Sequence, residues 1–156
     1  MSSLEIESFR IRFDYEFDRL LETIAELDDA AVNWKPPAPG SNSLLVLVTH
    51  ALGSAEQHVV GEAAGKAVVR NRDAEFAAKG GSAHLAARAT EVRRRVDEAL
   101  VGLEGRLDEE REPPFREWPG TRGTVCDRLL HSISHTAEHA GQAQLTRDLV
   151  KARAAG

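Results

Sequence analysis

A chain of 156 residues suits one domain, taken here as residues 1–156, and is tight for two. Its 42% hydrophobic content is too high for disorder, and 25 acidic against 20 basic residues argue against binding driven by nucleic-acid phosphates. The single cysteine, Cys126, excludes an internal disulfide framework and fits a reducing compartment. The opening MSSLEIESFR carries acidic residues and no apolar run of the signal-peptide kind. The longest apolar run, LLVLV at 44–48, is far short of a membrane span. A cytoplasmic setting without membrane contact is therefore expected.

Residues 4–29 repeat at helical spacing: Ile6, Phe9, Phe13, Phe17, Leu20, Ile24 and Leu27 form one apolar stripe. The segment NWKPPAPGSNS at 33–43 excludes regular structure, with Trp34 expected to pack it against the helices. Ser41, Asn42 and Ser43 offer an N-cap for a second helix over 44–64. Leu44 through Val48, Ala51 and Leu52 make that helix apolar on every side, which predicts burial. Residues 65–81 read as a loop with one short helical turn. Ser82 is placed as the cap of a third helix, with Leu85, Ala89, Val92, Val96, Leu100 and Leu103 as its stripe. The run RLDEEREPP at 106–114 ends it with solvated charge. A second Pro/Gly-rich loop at 113–123 carries Phe115 and Trp118, and Thr124 caps a fourth helix running to about Lys151. No strand-period alternation of useful length occurs. The expectation is an all-α protein, a four-helix bundle with long loops between helices.

The six histidines carry the chemistry. Three lie on the fourth helix, His131, His135 and His139 in HSISHTAEHAGQ. Helical residues advance about 100° each, so every fourth drifts only about 40° and the three share a face. Measured against the apolar arc of Val125, Leu129, Ile133, Ala137, Ala140 and Ala143, His139 lies nearest, His135 next and His131 farthest out. The inner pair can aim two imidazoles at one divalent ion about 2.0–2.1 Å from each nitrogen. His50 is the candidate third donor, because it stands on an otherwise apolar helix. A buried neutral imidazole needs partners for both ring nitrogens. A metal supplies one and an acceptor behind the ring supplies the other. Spacing leaves a plainer alternative open. An HxxxH pair arises by chance on exposed faces, and a lone buried histidine is commonly a hydrogen-bonded core residue.

Together these segments resemble the DinB-like superfamily of DinB/YfiT type, which includes bacillithiol- and mycothiol-dependent S-transferases. The likeness covers nearly the whole chain. It comprises the amphipathic first helix, WKPPAPGSNSLLVLVTH ending in a helix-two histidine, the connector GKAVVRNRDAEF, and LLHSISHTAEHAGQ. The last segment is similar to the family's H-x-x-x-H followed by x-G-Q. The resemblance implies a four-helix bundle holding one divalent metal through three side chains. It places these ligands at His50, His135 and His139, and reads His131 as a frequent histidine that is not usually a ligand. In mycothiol-dependent members the position of His135 is commonly glutamate, so the chain departs there. The connector and the RGTV opening of helix four look like actinobacterial-type members. Maleylpyruvate isomerases of the superfamily carry an added C-terminal domain, and that activity is not expected here. A homodimer is implied by the resemblance.

Three neutral imidazoles leave a metal its full charge and open coordination positions. Coordination lowers a thiol pKa and presents the thiolate. The implied activity is a metal-dependent S-transferase, with a low-molecular-weight thiol and a small electrophile as its partners. Zinc fits the donors best, and imidazole also accepts nickel, iron or manganese. One alternative is a non-catalytic, stress-related metal-binding protein. Another is a metal-dependent hydrolase using Glu56 or Glu138 as general base, although no HExxH pattern is present. Cys126, in the first turn of helix four, is expected to be a buried structural thiol. His58 is placed near the pocket mouth and His84 on the surface, neither with a role. Trp34 and Trp118 are read as loop anchors, and Arg70 and Arg72 as solvated arginines able to meet an anionic substrate.

Overall fold

The computed structural model describes residues 3–111 and 123–155. The first helix, α1, spans Leu4–Glu22. Ser3 caps it by accepting from the Ile6 amide at 3.3 Å, and Glu5 and Glu7 sit favourably at its positive end. It ends earlier than the apolar stripe suggests. Thr23 turns its hydroxyl back onto the Leu20 carbonyl at 2.6 Å, and Glu26 takes a left-handed φ of 63°. The chain then restarts as a short α2, Asp29–Asn33, capped by Asp28. The predicted 4–29 helix is thus two helices with a break. Ile24 remains buried and Leu27 half-buried across that break, which is why the periodicity carried through it.

Ser43 caps α3, Leu44–Glu56, through the Val46 amide at 3.2 Å. Every residue of α3 except Thr49 is buried, as an all-round apolar helix requires. The helix then widens into a π-helical segment, Gln57–Ala63. In the connector, α4 spans Arg72–Phe76 and is capped by Asn71, whose side chain accepts from the Ala74 amide at 3.0 Å.

The fifth helix, α5, spans Ser82–Val101, and Gly81, not Ser82, occupies its cap. A Cβ at Gly81 would stand 2.9 Å from the Asp29 carboxylate of α2, an exposed side-chain end that would have to turn aside. The sixth, α6, spans Val125–Ala155, one turn longer than expected. Thr124 caps it: the Asp127 amide donates to its hydroxyl at 3.2 Å while the Asp127 carboxylate accepts the Thr124 amide at 3.0 Å. Phe115, Trp118 and most of the second Pro/Gly-rich loop lie outside the described residues.

Four long elements make the bundle. α3 packs on α6 and α5, and α1 packs on the same two helices from the other side. α1 and α3 are therefore diagonal, as are α5 and α6. α2 and α4 lie against α3. The core is filled by Phe13, Phe17, Leu20, Leu52, Leu100 and Leu129, each at most 1% exposed. Each such side chain contributes about 1.5–3 kcal/mol of burial. Among the described residues no strand forms, and no helix is long and apolar enough to cross a membrane.

Candidate metal centre

His50 reaches the bundle interior because α3 has no polar face to turn outward; the residue is 5% exposed. His135 and His139 project from α6 one turn apart and are half-buried. The α3–α6 packing brings the three together: their nearest donor atoms all lie within 4.8 Å of one another. The His135 and His139 Nε2 atoms stand 3.3 Å apart. Two nitrogens bound tetrahedrally to one ion at 2.0–2.1 Å would be separated by about 3.3–3.4 Å, so the spacing suits a shared cation. His50 approaches the pair with ring centroids 5.3 Å from His135 and 4.8 Å from His139.

The outward ring nitrogens are engaged on two of the three. His50 Nδ1 meets Glu75 Oε2 at 2.9 Å, and His139 Nδ1 meets Gln142 Oε1 at 2.9 Å. His135 Nδ1 is buried without a hydrogen-bond partner. Burial lowers the pKa of His50 despite the Glu75 hydrogen bond, and His139 lowers it further. Burial, together with the neighbouring imidazoles, pushes His135 down to about 3. Both rings are therefore neutral near pH 7, with the lone pair a metal needs.

The three rings open onto a pocket of about 530 Å³. Leu47, Phe76, Leu145 and Leu149 supply apolar walls, and Arg72 is the one cationic side chain lining it among the described residues. The Pro/Gly-rich segment forms the opposite side through Pro36, Ala38 and residues 40–42. That segment joins α2 to α3, and Pro36, Pro37 and Pro39 keep it irregular where it walls the pocket. Phe76 leans on His50 with ring centroids 4.8 Å apart, and Arg72 lies over Phe76.

Other sequence candidates sit differently. Glu56 is 2% exposed and clamped by Arg88 and Arg95 of α5, outside the pocket lining. Glu138 is exposed and also outside it. His131, expected farthest from the core, is 7% exposed. Its ring packs edge-on against His58 at 4.7 Å, and burial with the His58 charge pushes it down to about 4. The helical wheel misplaced it because α6 packs on α1, α3 and the π-helical segment at once, which widens its buried arc. His58 is buried and bonded to Glu62 at 2.8 Å, not at the pocket mouth. Cys126 is half-buried instead of buried, and desolvation, followed by Asp127 and Asp108, raises its thiol. His84 is exposed as expected, and Trp34 is half-buried under Arg153. Arg70 is not solvated but paired with Glu75. Glu75 is not legible in the sequence pattern, since nothing periodic links a connector acid to a helix 25 residues upstream. The only available signal was the need of a buried imidazole for an acceptor.

A family model described as mycothiol S-transferase matches residues 9–152. Among solved structures, a conserved protein from Enterococcus faecalis is similar with a TM-score of 0.72 and 18% identity, over 97% of this chain and 99% of the other. At that identity the likeness concerns the fold. No protein of curated function matches the chain.

Proposed function

The chain belongs to the mycothiol S-transferase family, a DinB-like family, and from that footing we propose that it is a metal-dependent S-transferase in which His50, His135 and His139 hold one divalent ion. The observation that carries this reading is the convergence of three imidazoles within 4.8 Å at the floor of an open pocket. Zinc suits an all-nitrogen donor set that must also accept a thiol sulfur; nickel, iron and manganese are the other candidates. When bound, such an ion lowers the pKa of a low-molecular-weight thiol and supplies it as the nucleophile.

The protein's own groups bind and orient. Burial keeps His50 and His135 unprotonated, and the Gln142 carbonyl accepts from His139 Nδ1–H, leaving that ring's Nε2 lone pair toward the site. Arg72 offers charge to an anionic end of the thiol or the electrophile. Leu145, Leu149 and Phe76 offer contact to an apolar electrophile. No side-chain nucleophile is required. The general-base form of a hydrolase loses Glu56, which α5 holds away from the pocket.

The test has two stages. Metal analysis of the purified protein beside His139→Ala should show one ion per chain, lost or greatly weakened in the variant. The metallated protein should then turn over a haloarene with mycothiol, and less well with bacillithiol or glutathione. Metal-loaded protein inactive with all three thiols would remove the transferase reading.

A further inference from the structure

The connector holds His50 from behind. Glu75 is 8% exposed, and its Oε2 faces His50 Nδ1 at 2.9 Å. Arg70 grips the same carboxylate with two bonds, Nε to Oε1 at 2.7 Å and Nη2 to Oε2 at 2.9 Å. This fork leaves the carboxylate little freedom to rotate. A carboxylate only accepts, so the proton between Glu75 and His50 belongs to Nδ1, and the lone pair belongs to Nε2. Arg70 Nη2 also lies 3.4 Å from His50 Nδ1. Having no lone pair, it cannot accept the proton, and its shorter bond is to Oε2.

Space for this arrangement comes from Gly53, one turn after His50 on α3. A Cβ there would overlap Glu75 Oε1 and stand 3.1 Å from Glu75 Cδ and 3.5 Å from Arg70 Nε. A glycine inside a helix costs about 1 kcal/mol relative to alanine. Its backbone is ordinary helix, so it is not there for conformation. The close approach of the carboxylate accounts for it.

We infer that Glu75 is the positioning residue of the metal centre: it fixes His50 as the Nδ1–H tautomer with Nε2 toward His135 and His139, while Arg70 steadies the carboxylate and Gly53 leaves it room. The inference rests on the metal reading above. A carboxylate behind a ligating imidazole fixes its ring orientation and raises its basicity, and loss of such a partner weakens metal binding by roughly 10–100-fold.

Two variants and two measurements test it. Glu75→Ala removes the acceptor. Gly53→Ala keeps Glu75 but displaces it, and the helix itself gains from alanine, so the fold is retained. Zinc affinity is read by competition with a chromophoric chelator. The His50 tautomer is read by ¹⁵N NMR of the metal-free protein. The wild type should show protonated Nδ1, and both variants should lose that preference and bind zinc roughly 10–100-fold more weakly. A purely structural ion pair would alter stability without moving the tautomer. Zinc affinity unchanged in both variants overturns the inference, as does a wild-type His50 protonated on Nε2. Should the wild type take up no zinc, the metal reading fails, and the tautomer comparison alone then judges whether Glu75 orients the ring.

Discussion

Glu56 separates a structural acid from a catalytic one. Its carboxylate is 2% exposed at the end of α3 and accepts from Arg88 and Arg95, one turn-pair apart on α5. Arg95 also donates to the Ala67 carbonyl at 3.0 Å, so the acid ties α3, α5 and the connector together. Breaking a buried pair costs about 3–5 kcal/mol when a buried charge is stranded. In Glu56→Gln the stranded groups are two guanidinium side chains, 36% and 29% exposed, that can turn to water. The cost is therefore discounted to about 2 kcal/mol. For a domain of this size that is a fall in Tm of roughly 4–8 °C. Arg88→Ala/Arg95→Ala strands the buried acid instead and should approach the full 3–5 kcal/mol. Urea unfolding of both variants, beside their metal content and transferase rate, is the assay. The reasoning fails if Glu56→Gln shifts stability by less than about 0.5 kcal/mol, or costs more than the double arginine variant. Lost activity at full stability would return Glu56 to a catalytic role.

The pH dependence of stability should carry the mark of Glu62. Burial raises its carboxyl, but the His58 hydrogen bond and the His58 and Arg128 charges outweigh that and leave it below the ordinary 4.5. A depressed folded pKa stabilises above the unfolded value and fades as pH falls through the folded one. The stability gap between wild type and Glu62→Gln should close as pH falls below the unfolded carboxyl value of about 4.5 and through the lower folded one; a gap that widens as acid is added below that value would contradict this. Cys126, its thiol raised by desolvation, should alkylate more slowly at pH 8 than free cysteine, and Cys126→Ala should leave metal uptake and rate unchanged. Rapid modification would show a thiolate that the structure does not support. Leu145→Asp should raise KM for an apolar electrophile about tenfold with kcat little changed, because it puts a carboxylate in place of an apolar side chain lining the pocket. An unchanged KM would move the electrophile elsewhere.

Local periodicity disclosed most of the bundle. The buried stripes of α1 and α5 and the all-round burial of α3 are properties of consecutive residues, so they could be read from the chain. The His135–His139 pair was equally local, and His50 stood out as the polar exception on an apolar helix. What depended on distant partners could not be read. The break at Thr23–Glu26 needs a backbone angle that the stripe does not encode. Gly81 stands at the α5 cap because the backbone is still extended there and Ser82 already lies in the helix, a one-residue boundary that the stripe does not encode. The Glu75 and Gly53 pairing exists only once the connector folds over α3. His131 lies deeper than a helical wheel places it because a wheel scores one apolar arc, whereas α6 touches three elements.

At 31 residues, α6 is about 46 Å long and carries Leu145 and Leu149 beyond the histidine pair, both turned to the open side. The pocket is thus a trough laid along one rail, with the proline-bearing segment as the facing bank. A guest lying along such a trough would meet α6 on one side and residues 36–42 on the other. The length of α6, and not the four-helix core, thus sets how far that wall extends past the histidines.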